Sequence, residues 1–451
     1  MHVLVSIIGI LITIFFVIGT HESAHFFMAR LVGVKVLRFS IGFGKTLFRW
    51  HDRKGTEYVI ALLPLGGYVK MLDETEEPVP ANETHLAYNR QPFYKKFLIV
   101  AAGPFTNIFC ALILYWLIFM IGFTTMKPII GAVQPASIAA QAGLTKGEEV
   151  VGINHHPITA WTNLILRLLS HIGNEDKVDI DVINPANHAV QKHTLDLSHW
   201  QLNGLTPDPL ASIGITPYMP NIPLIIGKIA DDSPAASAGF LHGDKILAMN
   251  HHAVKDWSDI VTLILAHPDE KIIFTLERNK KPVQLTVTIG HQRNLLFQKS
   301  GYLGIGPDYQ LPNDLLREVQ YSPIPAFARA AQELFDFTYF NILLIGKLIT
   351  GKLSLQSLGG PITIFETAGD ALNIGLVSFL GFLAFLSISI GIINFLPLPG
   401  LDGGHLLIQF IEWVIRRPIP EKILLVLYRA SFLLIIFVLV IALVNDVLRL
   451  Y

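Results

Sequence analysis

Four apolar runs, each long enough to cross a lipid bilayer, constrain the fold of this chain more than any other feature. They cover residues 3–28, 97–123, 376–396 and 424–444, and a helix of roughly 20 residues spans the hydrocarbon core. The composition agrees, because 51% of the 451 residues are hydrophobic and 15% are charged, against about 25% charged residues in soluble domains. The sequence therefore predicts an α-helical membrane protein with four transmembrane helices.

The first run differs from a cleaved secretory signal. Such a signal begins with a basic segment and ends at a small-x-small cleavage site, and this run has neither and continues to Met28. We therefore expect it to be retained as the first transmembrane helix.

Basic residues indicate how the helices are oriented. Lys and Arg are concentrated between the first and second runs and again between the third and fourth, and cytoplasmic loops carry such an excess. Both loops are therefore predicted to be cytoplasmic. Both termini and the central segment, residues 127–374, then face the other side of the membrane, which in a Gram-negative cell is the periplasm.

A further apolar run, residues 334–349, has two interpretations. It contains Asp336 and Lys347, and a fifth span here would invert the next helix and place Asp402 at the opposite membrane face from His25. We therefore expect an amphipathic helix in the membrane interface, within a region of residues 313–374.

The central segment contains an internal repeat. Residues 131–161 match residues 227–257 at a constant offset, and the shared positions include Gly143/Gly239, Gly147/Gly243, Asn154/Asn250 and Trp161/Trp257. Each copy combines short β-runs with an Ala-rich turn that ends in Ala-Gly. This pattern resembles PDZ domains, and "SIGI" (212–215) and "YLGI" (302–305) would close each one. The prediction is two tandem PDZ-like α+β domains, residues 126–219 and 220–312, between membrane parts at 1–125 and 375–451.

A metal-binding motif ends the first run. His21 and His25 are four residues apart and project from one helical face, and Glu22 can reach a metal-bound water without being a ligand. Polar groups at a membrane interface are the alternative reading. Because ionisable groups in a membrane helix are costly, they usually carry function.

Catalytic zinc takes three protein ligands and keeps a fourth position open. The best third candidate is Asp402, in "NFLPLPGLDGGH" (394–405), where Pro and Gly interrupt the helix and leave backbone open. The alternatives are that Asp402 only caps a helix starting at Gly403, or that His405 is the ligand.

The tandem pairs His155/His156 and His251/His252 are read as structural turn residues.

Composition excludes other kinds of site. The single cysteine, Cys110, permits neither a disulfide framework nor a thiolate zinc site within the chain. A formal net charge of −1 gives no basic footprint for nucleic acid, so no nucleic-acid partner is expected.

The motifs together identify a family. "HESAH" (21–25) followed by "NFLPLPGLDGGH" resembles the site-2 protease family of intramembrane zinc metalloproteases, and "RFSIGFGK" (38–45), "EYVIALLPLGGYVKMLDE" (57–74) and "AAGPFTN" (101–107) extend the resemblance over nearly the whole chain. Two departures are Ala24 and Ser389, where family members often have Gly and Asn. The resemblance implies Zn²⁺ as cofactor, His21, His25 and Asp402 as ligands, and Glu22 as catalytic base.

An intramembrane protease must also hold its substrate. The backbone of a helix is already hydrogen-bonded, so a substrate helix has to unwind into a strand. Residues 58–63 and 67–71 are predicted to pair as a membrane-re-entrant hairpin within residues 34–72, whose edge adds that strand. A soluble cytoplasmic hairpin is the alternative. The predicted substrate-binding residues are Tyr68, Val69, Lys70, Asn394, Pro397 and Pro399.

The resemblance also implies the partners. The PDZ-like domains would filter substrates by size, and substrates would be pre-trimmed single-pass membrane proteins in the lipid bilayer, such as the stub of an anti-sigma-E factor or a remnant signal peptide.

A metal transporter and an inactive scaffold are the competing readings. The transporter lacks visible inverted repeats and has too few spans, and a scaffold gives no reason for Glu22 beside two histidines.

Overall fold

The computed structural model describes residues 2–75, 78–174, 176–202, 208–293 and 299–449. The α-helices are α1 His2–Leu31, α2 Phe93–Ile121, α3 Ile138–Gln141, α4 Trp161–Ser170, α5 Pro209–Ser212, α6 Pro234–Ala238, α7 Trp257–Ala266, α8 Pro323–Ile349, α9 Pro361–Ile374, α10 Leu376–Asn394, α11 Asp402–Ile415 and α12 Glu421–Arg449. Three short 3-10 helices cover Thr84–Leu86, Asn313–Leu315 and Leu355–Ser357.

The strands fall into a membrane-side pair and two central groups. They are β1 Val36–His51, β2 Glu57–Met71, β3 Phe123–Met126, β4 Ile130–Val133, β5 Glu149–Ile153, β6 His156–Pro157, β7 Lys177–Ile183, β8 Val190–Asp196, β9 Ile215–Pro217, β10 Ile226–Ile229, β11 Lys245–Met249, β12 His252–Ala253, β13 Lys271–Arg278, β14 Lys281–Thr288, β15 Gly290–Arg293, β16 Lys299–Tyr302, β17 Ile305–Pro307 and β18 Leu316–Val319.

Within the described residues, four helices are long and apolar enough to cross a membrane. They cover Val5–Leu31, Phe93–Ile121, Leu376–Asn394 and Glu421–Arg449, which fits the prediction of an α-helical membrane protein. The ambiguous run lies in α8, which is amphipathic and not among these four.

The helix α2 lies at the centre of the membrane part. It packs against α1, α8, α10 and α11, and its small residues Ala101, Ala102 and Gly103 are buried. The helix α12 is different, because only 6% of its apolar window is buried inside the protein. Most of its apolar side chains therefore lie on the surface of the protein.

The strands β1 and β2 form a sheet with a pairing that differs from the prediction. Residues 58–63 do not pair with residues 67–71, because β1 inserts between them: Phe39 pairs with Tyr58 on one side and with Val69 on the other. The second half of β1 folds back, so that Trp50 also pairs with Tyr58. The predicted pairing of residues 58–63 with residues 67–71 was therefore wrong. Residues 67–71 instead form one edge of the sheet, in which the folded-back β1 and β2 make four adjacent rows.

The central segment folds as two similar units. The first unit, β4 to β9, has a sheet of order β6-β5-β7-β8, and the second unit, β10 to β17, has the order β12-β11-β13-β14. The strands β4 and β9 pair in the first unit, as β10 and β17 do in the second. The repeated His residues lie in tight turns, where Asn154 and Asn250 both have a φ of 45°.

The first unit is fastened to the membrane part by polar contacts. Arg317 donates to Glu149 at 2.5 Å, Arg167 pairs with Asp336 on α8 at 2.7 Å, and the buried Lys347 donates to the carbonyl of Ser170 at 3.0 Å. Among the elements that the structure describes, no comparable ion pair ties the second unit to the membrane helices.

Candidate active site

The imidazoles of His21 and His25 face each other on the last part of α1. Their Nε2 atoms are 3.1 Å apart, and both residues are only 8% exposed. They are buried because α2 presents Gly103 to them, and a Cβ built on Gly103 would lie 2.7 Å from Cε1 of His21. The two histidines come together because they are four residues apart on one helix and because the glycine on α2 leaves room for their rings.

The orientation of His25 is fixed by the backbone of α2. Its Nδ1 is 2.7 Å from the carbonyl oxygen of Ile99. A carbonyl can only accept, so Nδ1 carries the proton and Nε2 keeps its lone pair. Histidines that bind metals in proteins are commonly held in this way by a hydrogen bond from their other nitrogen.

The carboxylate of Asp402 completes the cluster. Its Oδ2 lies 3.1 Å from Nε2 of His21 and 3.4 Å from Nε2 of His25, and the three ligand atoms lie within 4.8 Å of one another. Ligands about 2 Å from a tetrahedral zinc are separated by roughly 3.3 Å. Oδ2 of Asp402 is also buried without a hydrogen bond, as a metal-binding oxygen would be, so the three residues fit Zn²⁺.

The turn before α11 brings Asp402 to this position. Gly400 has a φ of +104°, and a Cβ on Gly403 would overlap the carbonyl oxygens of Phe395 and Leu396. Asp402 is the first residue of α11, and Leu401 is the N-cap. The alternative that Asp402 serves as the N-cap of this helix is therefore wrong.

Glu22 lines the same cleft as the three clustered residues and lies against the sheet. A Cβ built on Gly67 would lie 2.7 Å from Cγ of Glu22, so the edge strand passes directly against this side chain. Glu22 is partly buried and is not in the three-residue cluster. It stands beside the cluster as a free carboxylate rather than as a fourth ligand.

A cleft of about 930 Å³ joins the cluster to the sheet edge. The predicted residues Tyr68, Val69, Lys70 and Asn394 line it, whereas Pro397 and Pro399 are not among its lining residues. His405, the rival ligand, lines the cleft but does not belong to the metal-binding cluster in the described part of the chain.

Sequence reasoning missed a polar pair in this cleft. Gln409 donates to the phenol oxygen of Tyr88 at 2.6 Å, and Tyr88 lines the cleft. Burial raises the pKa of Tyr88 well above its usual value, so the phenol is neutral and can donate. Tyr88 lies in an irregular loop, where no periodic pattern could have indicated it.

Comparison with known proteins shows what the chain is related to. The sequence profile of peptidase family M50 matches residues 9–438. Protease RseP of Yersinia pestis is 38% identical over 456 residues, which is 100% of both chains. A putative zinc metalloprotease of Vibrio cholerae is 38% identical over 99% of both chains. The regulator of sigma-E protease RseP of Escherichia coli is 38% identical over 98% of this chain and 97% of its own.

These matches extend over almost the entire chain, as the resemblance of the sequence motifs predicted. They also account for the cofactor, because relatives of this length are named zinc metalloproteases. The chain therefore belongs to peptidase family M50, the site-2 protease family of zinc metalloendopeptidases.

Proposed function

We propose that this metalloendopeptidase cleaves peptide bonds within membrane-spanning segments, with His21, His25 and Asp402 as zinc ligands and Glu22 as general base. The observation that carries the proposal is the convergence of three ligand atoms within 4.8 Å, on helices that belong to or adjoin transmembrane spans. Glu22 lies beside the cluster on the side of the cleft.

The chemistry follows from these positions. When bound, Zn²⁺ supplies Lewis acidity to the scissile carbonyl and to a water molecule. Glu22 takes a proton from the attacking water and later gives it to the leaving amine. Asn394 lines the same cleft and supplies an amide that can hydrogen-bond to the backbone or the developing oxyanion of the substrate.

The sheet edge supports an extended substrate. Residues 67–71 pair with β1 on one side only, and their other side faces the cleft. A substrate segment can add there as a further strand, with backbone hydrogen bonds that replace those of its helix. Exposed Phe48, Trp50 and Leu62 on the same sheet support a membrane-re-entrant position.

The domain organisation that we propose has the two central units as tandem PDZ-like domains, residues 126–219 and 220–312. They stand on the periplasmic side with both termini, followed by an interfacial helical region at 313–374. The polar contacts between the first unit and α8 support a folded body beside the membrane part. Such a body would admit only substrates whose periplasmic part has been trimmed.

The substrates that fit this filter are pre-trimmed single-pass proteins of the inner membrane. The relative named regulator of sigma-E protease RseP supports an anti-sigma-E factor stub as one substrate. Remnant signal peptides have the same shape, because little protein remains outside the membrane.

The variant Glu22→Gln tests the catalytic assignment. Purified Glu22→Gln should bind zinc like the wild type and lose cleavage of a model transmembrane peptide by at least a hundredfold, the contribution expected of a general base. His21→Ala should lose zinc and cleavage together. Near-normal turnover in purified Glu22→Gln would refute the assignment of the base.

Removal of residues 127–310 tests the filter. The shortened protein should cleave untrimmed and trimmed substrates at similar rates, while the intact chain should cleave only the trimmed one. Unchanged selectivity in a shortened protein that still cleaves the trimmed substrate would refute the filter and leave the catalytic assignment intact.

A further inference from the structure

Asn107 on α2 is the most unusual polar residue in the membrane part. It is 0% exposed, and neither its Oδ1 nor its Nδ2 has a hydrogen-bond partner. Buried amides without partners are rare in native proteins, and they are least tolerable within a membrane, where no bulk water can pair with them. The side chain therefore needs a partner that the fold brings close.

One metal-ligating imidazole has the complementary need. Nδ1 of His21 is buried and has no hydrogen-bond partner, whereas Nδ1 of His25 is held by the carbonyl of Ile99. Within the described residues of the four candidate spans, His21 and Asn107 are the residues with such unpaired buried side-chain atoms. Nδ1 of His21 can donate a proton, and Oδ1 of Asn107 can accept it.

Helix periodicity puts Asn107 one turn from the residue that touches both imidazoles. Gly103, one turn before Asn107 on the same face of α2, lies against both imidazoles. Side chains on an α-helix lean toward its N-terminus, so an amide at position 107 can reach back toward Gly103 and the ring of His21. Ser387 on α10 donates to the backbone carbonyl of Asn107 at 2.9 Å, a contact that does not involve the side chain of Asn107.

We propose that Asn107 is a positioning residue for His21. Its amide oxygen accepts the Nδ1 proton of His21 through one bridging water molecule, since neither atom has a partner within hydrogen-bond distance, and so keeps Nε2 turned toward the metal. This inference rests on the proposed zinc ligands and adds a residue that acts through one of them. Outer partners of metal-binding histidines hold the ring and its tautomer in this way.

Zinc affinity in the detergent-solubilised full chain tests the proposal. Asn107→Leu keeps the branched shape of the side chain and removes the acceptor, and it should weaken zinc binding by about 10- to 100-fold in a chelator competition. Asn107→Asp keeps an acceptor and should bind zinc like the wild type. X-ray absorption at the zinc edge should show a disordered histidine shell in Asn107→Leu and an ordered one in Asn107→Asp.

The matched control is Ser387→Ala, which removes the hydrogen bond to the backbone of Asn107 but leaves its side chain. It should keep wild-type zinc affinity. Wild-type affinity in Asn107→Leu, or an equal loss in Ser387→Ala, would overturn the positioning role. If Asn107→Leu fails to fold, Asn107→Ala should show the same loss of zinc affinity. The melting temperature of zinc-free Asn107→Ala, compared with that of the zinc-free wild type, then shows whether the variant is folded.

The outcomes also separate this inference from the proposed ligand set. If His21→Ala binds zinc as tightly as the wild type, the ligand set is wrong and the positioning role falls with it. If His21→Ala loses zinc while Asn107→Leu retains it, the ligand set stands and only the role of Asn107 is refuted.

Discussion

Gly103 on α2 lies in direct contact with the imidazole of His21 on α1. A Cβ built on Gly103 would be 2.7 Å from Cε1 of His21 and closer still to Nε2 of His25. Carbon atoms in proteins do not approach at such distances, so the two imidazoles occupy the space that any other residue at position 103 would fill. The site depends on this glycine as much as on its polar residues.

The variant Gly103→Ala should therefore lose zinc. The new methyl group forces one or both rings away from Asp402, and we expect zinc affinity and cleavage to fall together by at least tenfold. Metal analysis of the purified protein beside a peptide-cleavage assay measures both.

Gly381→Ala on α10 is the matched control, because a Cβ at position 381 meets nothing within 4 Å. It should behave like the wild type or be slightly more stable, since alanine favours a helix by about 1 kcal/mol over glycine. Zinc retention in Gly103→Ala equal to that in Gly381→Ala would contradict the packing argument.

The variant Gly67→Ala should separate metal binding from catalysis. Its Cβ would lie 2.7 Å from Cγ of Glu22 and 2.7 Å from the carbonyl oxygen of Ser40, so Glu22 or the edge strand must move. The three nearest atoms belong to Glu22 and Ser40 and to none of the proposed ligands. We expect normal zinc content with kcat reduced by about 100-fold, the usual contribution of a general base.

Gly19→Ala on α1 is the control for this variant, because its Cβ would meet only Ile41 at 3.9 Å. It lies two residues before His21 and should retain activity. A Gly67→Ala enzyme with wild-type kcat would show that Glu22 tolerates a displaced strand.

The sequence predicted the parts of this site that depend on local periodicity. The apolar runs gave four spans, and the four-residue spacing of His21 and His25 required a shared helical face. The position of Asp402 followed from the requirement that two helices end at the same membrane side. The pairing of β1 between the two halves of β2 could not be predicted, because alternation within a strand does not say which strand is its neighbour. The contact of Gln409 with Tyr88 was also missed, because it joins distant segments and leaves no pattern in either.

The second unit contains an ion pair that should make its stability depend on pH. Asp244 is 1% exposed and accepts from Arg278 at 2.7 Å. Burial opposes its charge, but the guanidinium of Arg278 and the amide of Leu241 outweigh burial and hold the pKa of Asp244 below its usual value. The unfolded chain therefore binds this proton at a higher pH than the folded chain does.

The free energy of unfolding of this unit should accordingly be constant above about pH 4, the ordinary pKa of an aspartate, and should fall as the pH drops below it. Urea unfolding at pH 7 to 3, followed by pulse-labelled hydrogen exchange in residues 271–278, measures this decline. Asp244→Asn should flatten it and cost about 1–3 kcal/mol at pH 7.

Glu148 provides a matched control in the first unit. It occupies the equivalent position and accepts the amide of Thr145 at 2.8 Å, but within the described residues it pairs with no arginine. Glu148→Gln should therefore cost less than Asp244→Asn. Equal costs would show that the Arg278 pair contributes little.

The ion pair between Arg167 and Asp336 should hold the first unit against α8. The two side chains are 21% and 23% exposed and 2.7 Å apart, so they are screened less than a surface pair. In a double-mutant cycle with Arg167→Ala and Asp336→Ala, we expect a coupling energy of about 0.5–3 kcal/mol, measured as the protection of α4 and α8 from hydrogen exchange. The exposed pair Lys192 and Asp179 in the same unit is the control and should give at most about 1 kcal/mol.

The same variants connect this contact with substrate selection. If the first unit excludes untrimmed substrates because it is fixed beside the membrane part, Arg167→Ala and Asp336→Ala should cleave an untrimmed substrate faster while cleaving the trimmed substrate as before. The double variant should resemble either single variant, since each already removes the pair. The contrary result would be faster hydrogen exchange in α4 and α8 without any gain in cleavage of the untrimmed substrate. The first unit would then still exclude untrimmed substrates after the ion pair is lost. The ion pair would therefore stabilise the fold but would not control substrate access.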